Sequence, residues 1–210
     1  MLNFPELRLC AAHLVVITIS NYAVQLPVTV LGIETTWGTF TYPLLYVTTD
    51  LTVRLFGSQR ARRIVALAML PALVASYVLG TLFEHGSFQG AAALTVFSIF
   101  TFRIALASFC GYAVGQLLDI TVFARLRRRR QWYAAPAASS VAGNLVDTAL
   151  FYFIAFHACS DPYLAENYVA LGTVDYAVKL LASLLLFVPL YGALLRVLTR
   201  YLQRPPGAMA

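Results

Sequence analysis

Thr48-Thr49-Asp50-Leu51-Thr52-Val53-Arg54-Leu55-Phe56-Gly57 lies inside a run apolar enough to cross a bilayer, yet it carries an acid and a base four residues apart. At helical pitch those two side chains share one face, about 6 Å apart. A charge at bilayer depth costs about 2.5–3.5 kcal/mol on insertion scales, so a chain keeps one only where it is paired or faces a polar interior. Two readings follow. Asp50 and Arg54 are a structural ion pair that locks helices together, or they line a pathway for a polar solute.

Working outward, the chain has 210 residues, 60% hydrophobic and 11% charged. A soluble domain is about 45–50% apolar and about 25% charged, so composition places this chain in a membrane. Each spanning helix needs about 20 apolar residues, and six of them consume roughly 120–130 positions. Short loops remain, which predicts a single transmembrane domain over residues 1–204 and a frayed, disordered tail at 205–210 beginning Pro205-Pro206-Gly207. The net charge of +6 resides in arginines clustered in short loops, with no aromatic-interleaved basic face, which argues against nucleic acid as a partner. Cys10, Cys110 and Cys159 are odd in number and lack metal-ligand spacing, so neither a disulfide nor a metal is expected, and no cofactor.

The predicted spans run from about Leu7 to Leu31, Gly38 to Gly57, Ile64 to Phe83, Leu94 to Leu118, Ala135 to Ala158 and Tyr168 to Leu198. The first lacks a basic leader followed by a small-residue cleavage site and reads as a span, not a signal peptide. Pro43, Pro71 and Pro189 are expected to bend their helices. Arg60, Arg62, Arg63, Arg125, Arg127, Arg128, Arg129 and Arg130 follow spans two and four, and Arg196, Arg200 and Arg204 follow the last. Loops after spans one, three and five carry Glu34, Glu84, Asp161 and Glu166 and no lysine or arginine. The positive-inside rule therefore places both termini in the cytoplasm, and an even number of spans agrees by putting them on one side. The expected fold class is an all-α polytopic membrane protein of six transmembrane helices.

Thr49-Asp50-Leu51-Thr52-Val53 is weakly echoed by Leu118-Asp119-Ile120-Thr121-Val122, and Asp50/Arg54 by Asp175/Lys179 at the same spacing. Transporters are often built from repeated units. Asp50, Arg54, Arg103, Asp147, Asp175 and Lys179 are read at membrane depth, three acids against three bases. At 1.5 Å per residue, Arg103 and Asp147 fall about 13 and 12 Å below the outer edges of spans four and five. An Arg103–Asp147 pair across antiparallel helices is predicted. Arg54, Arg103 and Lys179 are thus the expected structural partners of the acids.

Asn21 and Gln25 share a face of span one, and Asn144 precedes Asp147 by one turn. A lone Asn in a membrane helix usually joins helices. Several amides converging with carboxylates suit another task, because an amide offers donor and acceptor side by side, as a nucleobase edge does. A carboxylate accepts two parallel N–H donors, the pattern of both arginine and the amidine edge of guanine. Trp37, Phe40, Tyr42 and Tyr46 could stack on such a ring, at about 1–3 kcal/mol per base, although Trp37 equally suits an interfacial aromatic belt. Gly111-Tyr112-Ala113-Val114-Gly115 is a GxxxG motif for close helix packing, within the chain or between subunits of a homodimer. His13, His85 and His157 fall near span ends or in a loop. No HExxH, GxSxG or Walker A motif is present, so an enzyme is not expected and energy must come from a gradient, a partner or trapping of the solute.

Several blocks together resemble one known family: Ser20-Asn21-Tyr22-Ala23-Val24-Gln25-Leu26-Pro27, Thr36-Trp37-Gly38-Thr39-Phe40, Thr49-Asp50-Leu51-Thr52-Val53-Arg54, Ala61-Arg62-Arg63-Ile64, Gly143-Asn144-Leu145-Val146-Asp147 and Val174-Asp175-Tyr176. They are similar to the queuosine-precursor transporters of the vitamin-uptake-transporter group, in one order over about residues 10 to 200. The departures are Asp161 to Asn167 and the tail, neither expected in a binding site. The resemblance implies an inner-membrane importer of 7-cyano-7-deazaguanine and 7-aminomethyl-7-deazaguanine for salvage into tRNA queuosine. It implies a deazaguanine site near the midplane, with Asn21, Gln25, Trp37, Phe40, Tyr46, Asp50, Asn144, Asp147 and Asp175 as its candidates. Size and span count are also similar to substrate-binding subunits of energy-coupling vitamin transporters. A non-transporting membrane interaction subunit is the reading from another class.

Overall fold

The structure is a computed structural model that describes residues 4–30, 32–84 and 86–202. His85 and the 205–210 tail lie outside the described residues. The chain is helical almost throughout, in the order α1 (Phe4–Ala23), β1 (Pro27–Val30), β2 (Ile33–Thr36), α2 (Trp37–Thr41), α3 (Pro43–Phe56), α4 (Ser58–Leu82), β3 (Phe83–Glu84), β4 (Ser87–Phe88), α5 (Ile99–Leu126), α6 (Ala134–Phe156), α7 (Pro162–Ala182) and α8 (Val188–Leu202). Among the described residues four helices are long and apolar enough to cross a membrane: Ser58–Leu82, Ile99–Leu126, Ala134–Phe156 and the continuous Pro162–Thr199. Apolar Leu7–Ala23 is shorter, and predicted span two is split between α2 and α3. The protein is an all-α multi-pass membrane protein with two small hairpins that the apolar pattern does not announce.

Span one ends eight residues early because Pro27 and the β-branched Val28, Thr29, Val30 and Ile33 favour extended backbone. Pro27 pairs with Thr36 and Val30 with Ile33, and Gly32 supplies the turn with φ of +79°. The second hairpin pairs Phe83 with Phe88 and Glu84 with Ser87. The second hairpin is tied to the end of α1: the Tyr22 hydroxyl donates to the Gly86 carbonyl at 3.3 Å, and a Cβ on Gly86 would come within 2.5 Å of Leu26, in the turn after the helix.

The prolines act at ends as much as inside. Pro43 opens α3 directly after α2, so the break falls at Tyr42–Pro43. Pro71 is carried inside an unbroken α4. Ahead of Pro189, residues Ser183–Phe187 form a π turn in which the Val188 N–H reaches the Ser183 carbonyl, five residues back. Proline lacks the donor for Leu185 and crowds that carbonyl, and the wider turn relieves the clash. Gly57, at φ of +90°, is the whole connection between α3 and α4, so Arg60, Arg62 and Arg63 belong to the first turns of α4 and Arg125 to the last of α5, instead of to loops.

Glycines set the tightest helix contact. A Cβ on Gly111 would stand 2.6 Å from Asp147 Oδ1, and one on Gly143 would stand 3.3 Å from the Gly115 carbonyl oxygen. The GxxxG motif thus packs α5 on α6 within the chain. The apolar core gathers Ile17, Leu45, Val53, Val65, Ile120, Phe123 and Tyr191 from α1, α3, α4, α5 and α8, closing the arginine-bearing half of the bundle. The hairpin half stays open.

Candidate functional site

A cavity of about 1420 Å³ runs from the hairpins down to Asp147 and Lys179, walled by α1, α2, α4, α5, α6 and α7. Fitted small-molecule pockets are about 300–1,000 Å³, so this space is wider than one fitted site and has the form of a vestibule, with polar groups converging at its floor. Asn21 reaches it from the last turn of α1, and Gln25 from the turn that follows the helix, so both line the cavity although Gln25 is not on the helical face its spacing predicted. The Asn21 oxygen accepts from the Tyr42 hydroxyl at 2.6 Å. Gln25 donates its amide to the Leu79 carbonyl at 3.3 Å, leaving its side-chain oxygen buried without a partner.

Asp175 and Lys179 form the expected pair on α7, 2.5 Å apart. Thr39 donates to Asp175 Oδ1 at 3.0 Å, and the Lys179 ammonium also lies 3.5 Å from Thr148 Oγ1 and 5.4 Å from the Tyr42 ring centre. The lysine is therefore held from three sides. Asp147 is different. It lines the cavity, and no hydrogen bond or ion pair among the described residues engages its carboxyl group, although Lys179 lies within electrostatic range. Two acids against one lysine leave an unmatched acceptor on the cavity floor.

Two predicted pairs are not formed. Arg103 donates to the carbonyls of Ile154, His157 and Ala158 at the end of α6, not to Asp147. The cause is where α5 starts: a 3₁₀ turn at Ala91–Thr95 delays it to Ile99, so Arg103 sits about 6 Å into the helix, level with the last turn of α6. Arg54 turns away from Asp50 and donates to the Arg127 carbonyl, while Arg127 donates to the Val53 carbonyl at 2.5 Å. Asp50 is buried against Ser139, whose hydroxyl lies 3.3 and 3.4 Å from its two oxygens.

Of the remaining candidates, Trp37, Phe40, Tyr46, Asp50 and Asn144 do not line this cavity. Trp37 is exposed at the start of α2, edge-on to Phe40 at 6.2 Å. Tyr46 is buried between α5 and α6, and Asn144 donates to the Ser140 carbonyl at 2.9 Å and Ser183 Oγ at 3.2 Å, joining α6 to the π turn. Of the rings expected to stack, Tyr42 lines the cavity, and further aromatic wall comes from Phe151, Tyr152 and Phe156 of α6, which were not candidates and whose rings meet edge-on at 5.4 to 5.8 Å. Nothing local in an aromatic run separates a cavity-facing ring from a lipid-facing one. Tyr163 and Asn167 also line the cavity, although their stretch was expected to lie outside any site.

A helical, multi-span bundle enclosing an acid-bearing vestibule open at one end defines a membrane transporter. The model of a family described as "Putative vitamin uptake transporter" matches residues 36–194, and the chain belongs to that family. It is 52% identical over 190 residues to the "Queuosine precursor transporter" of Escherichia coli, covering 90% of this chain and 86% of that protein. It is 47% identical over 203 residues to a "Probable queuosine precursor transporter" of Haemophilus influenzae, covering 91% and 86%. A Bacillus subtilis protein with the same description is 26% identical over 181 residues, covering 83% and 78%. No solved structure matches the chain significantly. The family is one of transporters and not of enzymes.

Proposed function

We infer that the chain is an inner-membrane importer of 7-deazaguanine precursors of queuosine, a single unit of six spans with both termini in the cytoplasm. In this reading α1, the broken α2–α3, α4, α5, α6 and the bent α7–α8 are the six spans, and the arginine-bearing end faces inward. The vestibule then faces outward, as a structure awaiting solute would. The observation that carries the reading is the unengaged carboxyl group of Asp147 at the floor. It can accept the paired ring and exocyclic N–H groups of a guanine edge. Gln25 Oε1 is a second unpartnered acceptor, buried behind the lining, Asn21 and Asp175 border the same floor, and Tyr152 with its aromatic neighbours offers a face for stacking.

A hydrogen-bonded charged group is worth about 1.5–3 kcal/mol, or roughly 10- to 150-fold in affinity. Asp147→Asn should therefore cut uptake of labelled 7-cyano- or 7-aminomethyl-7-deazaguanine by proteoliposomes by at least about tenfold, while membrane insertion is retained. Wild-type uptake by that variant removes the assignment. Flux into vesicles holding this chain alone supports a self-sufficient carrier over a binding or interaction subunit.

A further inference from the structure

Beneath the vestibule floor lies a second polar cluster that the cavity does not reach. Asp50 and Asp119 are 1% and 0% exposed. Their carboxyl groups face each other within hydrogen-bonding reach, yet both oxygens of Asp119 are buried with no donor. Two acceptors in contact become a bond only when a proton lies between them, and buried like charges cannot both persist without one.

The surrounding titratable and charged groups are engaged elsewhere. Arg54 and Arg127 bind backbone carbonyls at the inner end, Arg62 of α4 donates to Thr121 at 3.2 Å, and Lys179 holds Asp175. His13 of α1 contacts Leu9 O at 3.0 Å and Thr49 Oγ1 at 3.1 Å, on the neighbouring face of α3. Tyr191 of α8 approaches Asp50 from the apolar core. The remaining neighbour is Tyr46, one turn from Asp50. A Cβ on Gly115 would lie 3.1 Å from the Tyr46 hydroxyl and 3.0 Å from Asp147 Cβ, and one on Gly143 would lie 2.6 Å from Tyr46 Cε1 and 3.2 Å from Asp119 Cβ. The phenol therefore bridges the space between the cavity-floor acid and the buried pair.

We propose that Asp50 and Asp119 form a proton-binding site, linked through Tyr46 to Asp147, that couples inward solute movement to inward proton flow. A hard metal cation asks for about six oxygen ligands; two carboxyl groups and Ser139 fall short, and a proton needs no cavity. Coupling rests on the transport reading, so the test separates the two. Proteoliposomes are assayed for gradient-free exchange of labelled 7-aminomethyl-7-deazaguanine, for its accumulation under an outside-acid gradient, and for lumenal acidification by a trapped pH dye. Wild-type protein performs all three. Asp119→Asn retains exchange and loses both accumulation and acidification, and Asp119→Glu restores them in part.

Accumulation that survives Asp119→Asn, or wild-type exchange with no response to the gradient, overturns the coupling and leaves transport standing. Wild-type protein that fails even to exchange overturns both. Should Asp119→Asn fail to fold, labelling of the wild type decides: dicyclohexylcarbodiimide modifies protonated carboxyl groups in apolar surroundings. Adducts on Asp50 or Asp119, found by peptide mass spectrometry and weakening as pH rises, support the site; their absence overturns it.

Discussion

Asp50 and Arg54 stand one helical turn apart and choose different partners, Ser139 and a backbone carbonyl. Spacing makes two side chains neighbours, but the surroundings of each decide whether they pair, and Arg54 lies near the arginine-bearing end of the bundle, where unclaimed helix-end carbonyls gather. Asp175 and Lys179, at the same spacing, do pair, because Thr39 and Thr148 hold both ends in place. Charge reversal measures this distinction. Arg103→Asp with Asp147→Arg should not restore the uptake that either change destroys, since Arg103 serves carbonyls of α6; rescue in a transport assay would show that the two side chains meet. Gly143→Leu should push α3 from α6, because even a Cβ would meet Tyr46 at 2.6 Å. Overpacking costs about 1–3 kcal/mol, and a drop of several degrees in the detergent-solubilised melting temperature is expected.

Elements are where local signals served unevenly. The long apolar runs of α4, α5 and α6 were legible because lipid demands a continuous apolar surface. Their ends were not. Pro27 and four β-branched neighbours stop α1 early, and Gly90 with the Ala91–Thr95 turn delays α5, both of which an apolar window averages away. Asp119 was visible only as the weak echo of Asp50, with nothing in the sequence to say that the two would face each other. Arg103 caps α6 through three carbonyls, a contact worth about 1–2 kcal/mol. Arg103→Ala should fray that end, seen as faster amide hydrogen exchange across residues 154–158 with α4 unaffected. Equal exchange in both proteins would show that the cap carries no weight.

At the scale of the molecule, the bundle is shut at its arginine-bearing end by Phe123, Val53 and Tyr191 and open at the hairpins. Combined with the charge bias, this predicts sidedness. In a background lacking Cys10, Cys110 and Cys159, Asn167→Cys should react with an impermeant maleimide added outside intact cells, and Arg130→Cys only after the membrane is breached. The reverse pattern would invert the topology. Excess deazaguanine should slow labelling at Asn167→Cys, since that residue borders the vestibule.

Composition alone determined that this chain lives in a bilayer, because 60% apolar residues cannot be buried by a protein of this size in water. Its motif blocks determined the family, and Asn21 and Gln25, four residues apart, both reach the cavity. The tertiary structure alone decided which acid lines the cavity without a hydrogen-bonded partner, which acids face each other, and which arginines end on backbone. Those outcomes depend on the rotation and depth of each helix against its neighbours, set by Gly111, Gly115 and Gly143 and by the breaks before Pro43 and Pro189. Periodicity along one helix carries no information about the helix beside it.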